Sequence, residues 1–252
     1  MKYLLAASHR PLLRSLVTGP CLLAFDFDGT LAPLRDRPEL VELAPQTKRR
    51  LAALARRVPV CVISGRSRAE VERLLRPVPL FALYGNHGAE PHREAARFRA
   101  ASRMWLASLR IALAHQPKVV IEDKGVSLAV HFRAAPDRRA ARRAILEAIT
   151  NLDDTVRIVP GKAVVNVVHT NAPHKGDALE LTAKRARARH VLYVGDDDTD
   201  EDVFGIAEHH GWLTARVGCS RRSAATFCLR GQEEMDDLLE ILDGAVERTR
   251  KR

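Results

Sequence analysis

An uninterrupted apolar run that ends in two carboxylates constrains the fold of this chain more than any other feature of its sequence. Residues 21–25 are apolar at every position, and Asp26, Asp28 and Gly29 follow directly. A parallel strand that is covered on both faces shows this continuous apolar pattern. In open α/β sheets, ligands bind at the carboxyl ends of the strands. The run therefore predicts a buried strand of an α/β fold that ends in a functional site.

Asp26 and Asp28 are expected to project to the same side of the chain, because side chains alternate along an extended strand. Two carboxylates on one side repel each other unless a cation lies between them, and magnesium prefers oxygen ligands. The pair therefore predicts a magnesium site that acts on a small anionic substrate. The alternative is an Asp-Gly turn that only closes the strand.

Three further apolar runs also end in polar residues, which suggests that several strands end at one edge of the sheet. The runs cover residues 58–63, 80–84 and 190–194, and they precede Ser64-Gly65-Arg66, a loop that contains His87, and the acidic segment 196–202. Ser64 could instead cap a helix over residues 67–75, and His87 could make a structural hydrogen bond or contact substrate. The acidic segment is expected to need a cation, since its charges repel one another. The alternative is a solvated acidic loop.

The sequence pattern changes between residues 91 and 170. Two hairpins are predicted there, over 119–123 with 126–133 and over 156–159 with 163–169, each preceded by a helix. Antiparallel hairpins inserted between α/β units predict a separate α+β cap domain. We therefore expect a core of residues 1–90 and 171–252 and a cap of residues 91–170. The first 18 residues are predicted to form a short amphipathic helix.

Composition narrows the function classes. The 252 residues, 46% of them hydrophobic, suffice for a large core with a small accessory domain. The net charge of +10 comes mostly from scattered arginines, and only 5% of residues are aromatic, so no nucleic-acid partner is expected.

No membrane span or signal peptide is recognisable, which predicts a cytoplasmic protein, and a monomer is the expected state. Cys21, Cys61, Cys219 and Cys228 are expected to be free thiols, because their spacing matches neither a metal site nor a disulfide framework.

The segment Asp26-Phe27-Asp28-Gly29-Thr30-Leu31 resembles the first motif of haloacid dehalogenase-type phosphatases. The resemblance implies a Rossmann-like parallel-sheet core with an inserted α+β cap. It also implies that Asp26 attacks phosphorus and that Asp28 acts as general acid and base. An aspartate with a reference pKa of ~3.9 is already ionised at neutral pH, so a nucleophilic Asp26 needs no base to activate it.

The same resemblance implies roles for the other strand ends. Ser64 would bind a phosphoryl oxygen, and Lys175, at the start of a helix, would offset charge on the transferring group. The side chains of Asp26 and Asp196 and the backbone carbonyl of Asp28 would bind Mg²⁺, with Asp200 as a support. The implied chemistry is phosphoryl transfer by positioning and electrostatics.

A finer resemblance, from about residue 22 to residue 204, is to the trehalose-6-phosphate phosphatase family. The matching motifs, in chain order, are Glu122-Asp123-Lys124-Gly125, His131-Phe132-Arg133, Gly161-Lys162, Lys175-Gly176 and Gly195-Asp196-Asp197-Asp198-Thr199-Asp200-Glu201. The resemblance implies that Glu122, Lys124 and Arg133 hold the sugar. The full set of implied substrate-binding residues is Asp26, Phe27, Asp28, Ser64, Arg66, Glu122, Lys124, Arg133 and Asn166.

Asn166 departs from the family pattern, which has a glutamate at this position. An amide makes a weaker contact to a sugar hydroxyl than a carboxylate does. Another phosphorylated disaccharide or a glycosyl-phosphoglycerate is therefore an alternative substrate for the same chemistry. A non-catalytic sugar-phosphate sensor is a third hypothesis, although a sensor would have no use for the nucleophile Asp26.

Overall fold

The computed structural model describes residues 1–35, 40–161 and 163–250, so Lys162 of the family motif lies outside the described residues. Its helices and strands fall into a parallel and an antiparallel sheet with helices packed on them. In chain order they are β1 (Lys2–Tyr3), α1 (Arg10–Leu16), β2 (Cys21–Phe25), α2 (Pro45–Ala55), β3 (Val60–Ile63), α3 (Arg68–Leu75), β4 (Ala82–Tyr84), α4 (Ala95–Ala112), β5 (Val120–Asp123), β6 (Leu128–His131), α5 (Arg138–Thr150), β7 (Val156–Gly161), β8 (Val164–His169), α6 (Lys175–Ala186), β9 (His190–Gly195), α7 (Glu201–His210), β10 (Leu213–Val217), β11 (Phe227–Leu229) and α8 (Met235–Arg250).

The larger sheet is parallel, with strand order β1-β11-β10-β9-β2-β3-β4. The predicted central strand is β2, and all five of its residues are buried. Leu23 and Phe25 pack into the core cluster on one face, whereas Leu22 and Ala24 pack into the cluster on the other. Helices cover both faces, which explains why the strand is apolar at every position. The predicted α/β parallel-sheet fold is confirmed.

The chain order of the strands reverses beside β2, which brings the predicted polar segments together. Phe25 lies opposite Val62 of β3 and Val194 of β9 in the register. The backbone N–H of Asp26 donates to the carbonyl oxygen of Val194 at 2.8 Å. The ends of β2, β3 and β9 are therefore neighbours at the carboxyl edge, which is where open α/β sheets bind ligands.

The smaller sheet is antiparallel, with strand order β5-β6-β8-β7, and α4 and α5 pack on one of its faces. Leu128 and Val130 of β6 point into that helical core, because residues two apart share a face. Ala129 lies between Glu122 and Asn166 in the register, so these three residues form a row across the sheet. Both predicted hairpins are present, and the boundary of the cap at residues 91–170 stays a prediction.

The structure corrects the prediction for the N-terminus. Residues 1–18 are not one helix: Lys2 and Tyr3 form β1, which pairs with Phe227 and Cys228 of β11. The helix α1 begins only at Arg10, with Pro11 in its first turn, where a proline is well tolerated. The pairing with β11 buries Leu4 completely. A local hydrophobic pattern does not reveal this contact, because the partner strand is more than 220 residues away in the chain.

The structure also corrects the prediction for two of the cysteines. Cys219 and Cys228 form a disulfide with a Cα–Cα distance of 5.2 Å. The strands β10 and β11 are parallel neighbours, and Cys228 of β11 lies opposite Arg216 of β10. Cys219 follows the end of β10 by two residues, so it lies close to Cys228. Cys21 and Cys61 are free and buried, as predicted. Within the described ranges, no helix is both long and apolar enough to cross a membrane.

Candidate active site

A cavity of about 560 Å³ lies where the carboxyl edge of the parallel sheet meets the antiparallel sheet. The core contributes Asp26, Asp28, Arg66, His87, Lys175 and Asp196, and the cap contributes Glu122, Lys124, His131, Arg133 and Asn166. The structure thus brings most of the predicted site residues to one cavity. Ser64 and Phe27 do not line it, since both side chains are fully buried beneath the surface.

Asp26 is held at the floor of the cavity by an ion pair with Lys175. Lys175 Nζ lies 2.9 Å from Asp26 Oδ1 and 2.7 Å from Asp200 Oδ1, and all three side chains are buried. Lys175 is the first residue of α6, and the preceding His174 caps that helix. Burial alone would lower the pKa of Lys175, but Asp200 and Asp26 outweigh it and raise that pKa. The lysine is therefore a permanent cation beside Asp26.

Asp200 fixes the geometry of the acidic loop after β9. Its Oδ1 accepts hydrogen bonds from Lys175 and from the Tyr193 hydroxyl, the latter at 2.6 Å. Its Oδ2 accepts from the backbone N–H groups of Asp196 and Asp197, both at 2.9 Å. A Cβ at Gly195 would lie 2.2 Å from the Asp200 carboxyl carbon, so only glycine permits this approach. Asp200 therefore organises the loop that presents Asp196.

Three carboxylates meet here in a way that fits a divalent cation. One oxygen from each of Asp26, Asp196 and Asp200 lies within 4.8 Å of the others, and all three residues are buried. Gly29 has φ +78°, and a Cβ there would lie 2.3 Å from Asp196 Oδ2, so its absence leaves room for this carboxylate. A set of carboxylate oxygens suits a hard cation. Because Asp200 already accepts four hydrogen bonds, Asp26 and Asp196 are the better direct ligands.

The crowding of these carboxylates has an electrostatic consequence. Burial raises the pKa of Asp26 well above its usual value, Asp200 and Asp196 raise it further, and Lys175 opposes the change. A cation bound between the carboxylates would reverse this balance and keep Asp26 ionised. The acidic segment is therefore solvated only in part, since Asp196 and Asp200 are buried against the floor of the cavity whereas Asp198 and Asp202 are exposed.

Asp28 is paired with Arg66 from the next strand end. Arg66 Nε lies 2.7 Å from Asp28 Oδ2, and Arg66 Nη2 lies 2.8 Å from Asp28 Oδ1. Nη1 of the same guanidinium donates to Glu70. Ser64 Oγ accepts a hydrogen bond from the backbone N–H of Arg66 at 3.1 Å. The cap of α3 is Ser67, so the alternative that Ser64 caps this helix is wrong.

The cap presents its polar side chains on the face that is opposite to α4 and α5. Glu122 Oε2 lies 2.8 Å from His131 Nε2, and this hydrogen bond lowers the pKa of Glu122. Asn166 Nδ2 donates to the carbonyl oxygen of Val159 at 3.2 Å. Lys124 Nζ reaches across the cavity and donates to the carbonyl oxygen of Gly65 at 3.0 Å. The hairpin of the antiparallel sheet therefore contacts the loop after β3 directly in this structure.

Several polar residues that line the cavity were not predicted as site residues, and two of them, His131 and Glu70, pair with residues that were. His131 was quoted only as part of a motif, yet it is the direct partner of Glu122. The register of the hairpin, in which Val120 lies opposite His131, could have revealed this pairing. Glu70 lies one helical turn after Arg66 and shares its guanidinium. The spacing of four residues was the available signal.

The parallel sheet, the aspartate pair after its central strand and the cap over the cavity define the chain as a phosphatase of the haloacid dehalogenase type. Within that class the chain belongs to the trehalose-phosphatase family, whose family model matches residues 24–233. It is therefore an enzyme that hydrolyses a phosphoric monoester.

Known proteins resemble the chain over most of its length. Trehalose-6-phosphate phosphatase of Escherichia coli is 29% identical over 237 residues, which cover 90% of this chain and 88% of that protein. A probable trehalose-phosphate phosphatase of Sinorhizobium fredii is 32% identical over 206 residues, which cover 78% of this chain and 77% of that protein. The C-terminal domain of C. albicans trehalose-6-phosphate phosphatase superposes with a TM-score of 0.78 at 22% identity, covering 93% of this chain and 96% of that chain. This last similarity shows the fold alone.

Proposed function

We propose that this enzyme is a magnesium-dependent phosphatase that hydrolyses trehalose 6-phosphate to trehalose and phosphate through an aspartyl-phosphate intermediate. The observation that carries the proposal is the buried Asp26, which is held by Lys175 within an acidic triad at the floor of the cavity. The cavity is roofed by polar cap residues of the kind that bind sugars. The names of the relatives from E. coli and S. fredii support trehalose 6-phosphate as the substrate.

The proposed reaction has two steps. The Asp26 carboxylate attacks phosphorus, the phosphorus–oxygen bond to the sugar breaks, and Asp28 gives its proton to the leaving sugar oxygen. Asp28 then takes a proton from a water molecule, which attacks the phosphoryl group on Asp26 and releases phosphate. Lys175 balances negative charge throughout, because it stays protonated beside Asp26.

Arg66 is proposed to control the protonation of Asp28. Without substrate, its guanidinium pairs with both oxygens of Asp28, which favours the ionised carboxylate. We propose that the phosphoryl group recruits Arg66, so that Asp28 is released and can carry the proton for the leaving group. Glu70 would hold the guanidinium at Nη1 during this change. Ser64 stays a predicted phosphoryl contact, and the buried Phe27 would contribute only its backbone.

The metal ligands in this proposal are Asp26, Asp196 and the backbone carbonyl of Asp28, with Asp200 holding the loop. When magnesium is bound, it supplies positive charge that offsets the charges of the carboxylates and of the phosphoryl oxygens. The buried carboxylate oxygens of the triad form a donor set that fits this hard cation.

Glu122, Lys124, Arg133 and Asn166 are the proposed sugar-binding residues. Glu122 and Asn166 lie in the same row of the antiparallel sheet, on the face that lines the cavity. We further propose that residues 91–170 form the cap and that the remaining residues, 1–90 and 171–252, form the core. The cytoplasmic location and the monomeric state also stay predictions.

Asn166 favours the second candidate, which is hydrolysis of another phosphorylated disaccharide or a glycosyl-phosphoglycerate. Its amide already donates to the carbonyl oxygen of Val159 within the cap sheet. Asn166 therefore offers the sugar less hydrogen-bonding capacity than a glutamate at this position would offer.

A panel of sugar phosphates tests both candidates. Phosphate release would be measured from trehalose 6-phosphate, sucrose 6-phosphate, glucosyl-3-phosphoglycerate and glucose 6-phosphate, with magnesium and with excess chelator. We expect trehalose 6-phosphate to have the highest kcat/KM and the chelator to abolish turnover. A preference for another member of the panel would support the second candidate. Full activity in chelator would refute the magnesium dependence.

A further inference from the structure

The imidazole of His87 lies at the floor of the cavity, and the proposed mechanism gives it no role. His87 lines the cavity together with Lys175 and Lys124. Its backbone has φ 57° and ψ 25°, in the left-handed region, and its N–H donates to the carbonyl oxygen of Ser64 at 2.9 Å. A non-glycine residue rarely adopts this conformation. The loop thus holds His87 in a strained position beside the end of β3.

The imidazole ring packs closely against Gly65. A Cβ at Gly65 would lie 2.6 Å from His87 Cε1 and 2.8 Å from Nε2, so the imidazole occupies the space that a side chain at Gly65 would fill. The same Gly65 accepts the hydrogen bond from Lys124 through its carbonyl oxygen. His87 therefore lies where the phosphoryl-binding floor and the closing cap meet.

The hydrogen bonding of the imidazole is incomplete. Nδ1 is buried and has no hydrogen-bond partner among the described residues. Within the described part of the chain, this nitrogen therefore makes no structural hydrogen bond, which was the alternative to substrate contact. Burying an unpaired N–H at Nδ1 costs more free energy than burying an unprotonated Nδ1, because the lone pair of an unprotonated nitrogen can face the nearby cations. The proton is thus best placed on Nε2, the nitrogen that remains for the cavity.

The charges around the ring indicate what it can bind. Burial lowers the pKa of His87 well below its usual value, and Lys175, Lys124 and Arg157 lower it further, in that order. The ring is therefore neutral at pH 7 and has a single N–H to donate. Lys175 and Lys124 line the same cavity, so a neutral N–H donor beside them suits an oxygen of a phosphoryl dianion.

We propose that His87 Nε2–H donates a hydrogen bond to a nonbridging oxygen of the phosphoryl group, which makes His87 a substrate-binding residue of the reaction. The inference rests on the proposed phosphatase function. Turnover of sugar phosphates by the unmodified enzyme tests that function separately. Absence of turnover would refute the proposed function, whereas the kinetics of His87 variants test only the role of His87.

The experiment compares His87→Asn with His87→Gln, using a sugar phosphate, p-nitrophenyl phosphate and inhibition by inorganic phosphate. Asparagine tolerates the left-handed backbone but is too short to replace Nε2, whereas the glutamine amide reaches that position. We expect His87→Asn to lower kcat/KM about 10- to 100-fold for both substrates and to weaken phosphate inhibition by a similar factor, the usual range for a lost hydrogen bond to a charged group. His87→Gln should recover most of each loss.

Three results would overturn the assignment. A loss with the sugar phosphate alone would place His87 against the sugar. Equal losses in both variants would indicate a packing role, and unchanged kinetics would exclude any contact. Should the variants not fold, ¹⁵N NMR of the histidine rings in the unmodified protein decides. Phosphate should shift the Nε2–H resonance of His87, and an unshifted resonance at saturation would contradict the proposal.

Discussion

Asp200 shows how one residue determines the character of the site. It is fully buried, yet its carboxylate accepts hydrogen bonds from Lys175, Tyr193 and two backbone N–H groups. A buried charge is tolerated when it is paired and hydrogen-bonded in this way. Hydrogen bonds to Asp200 therefore hold the loop after β9, which presents Asp196 beside Asp26.

The first prediction concerns Asp196. Replacing it with alanine should raise the magnesium concentration for half-maximal activity more than about tenfold, because a direct ligand is lost while the hydrogen bonds of Asp200 remain. Titration of activity with magnesium measures the effect. Asp198→Ala is the matched control, since Asp198 is an exposed acid of the same loop. Identical magnesium dependence in Asp196→Ala and the unmodified enzyme would remove Asp196 from the metal site.

At the scale of elements, the sequence predicted well wherever a strand is buried on both faces or alternates strictly. The central strand β2 and both cap hairpins were predicted because their apolar patterns follow directly from how they are covered. The N-terminal strand β1 was missed because two residues carry no periodicity, and its stability comes from the distant strand β11. The pairing of Cys219 with Cys228 was missed for the same reason, since strand adjacency decides it.

The site was predictable to a similar degree. The residues that follow strands, such as Asp26 and Asp196, were found because parallel strands end at a common edge. The pairing of Arg66 with Asp28 could not be read from the sequence, because it depends on side-chain direction after two different strands. The same holds for Lys124, whose contact with Gly65 depends on how far the cap is closed.

The second prediction concerns the disulfide between Cys219 and Cys228. Replacing both cysteines with serine should lower the free energy of unfolding of the oxidised protein by about 2–3 kcal/mol, as expected for a cross-link that closes a short loop. Chemical unfolding with and without reductant measures this, and the difference should vanish when the disulfide is reduced. A thiol assay of the unfolded, unreduced protein should find only Cys21 and Cys61 reactive. Four reactive thiols would contradict the disulfide.

At the scale of the whole molecule, the cavity is made by two sheets that divide the chemistry between them. The parallel sheet carries the residues proposed to react, and the antiparallel sheet carries the side chains proposed to bind the sugar. Direct contacts join the two parts: Ser127 Oγ donates to Asn86 Oδ1 at 2.6 Å, and Lys124 contacts Gly65. Lys124 therefore supports closure as well as any contact to the sugar, and Glu122 is the cleaner residue with which to test specificity.

The third prediction is that Glu122→Gln lowers kcat/KM for trehalose 6-phosphate by the equivalent of about 1–3 kcal/mol, because a polar group is left poorly paired in the closed site. Hydrolysis of p-nitrophenyl phosphate should change little, since this ester makes no such contact. Asp123→Asn serves as the control, because Asp123 is an exposed neighbour on the opposite face of β5. Equal losses with both substrates would show that Glu122 supports the core and does not recognise the sugar.

Identification of the residue that receives the phosphoryl group tests the central claim most directly. The enzyme would be mixed with trehalose 6-phosphate and magnesium, quenched in acid within one turnover, digested and examined by mass spectrometry. The phosphoryl group should be found on Asp26, and Asp26→Asn should keep its fold, carry no phosphoryl group and lose more than ~10³-fold in turnover. A phosphoryl group on another residue, or an Asp26→Asn variant that retains a tenth of the activity, would contradict nucleophilic catalysis by Asp26.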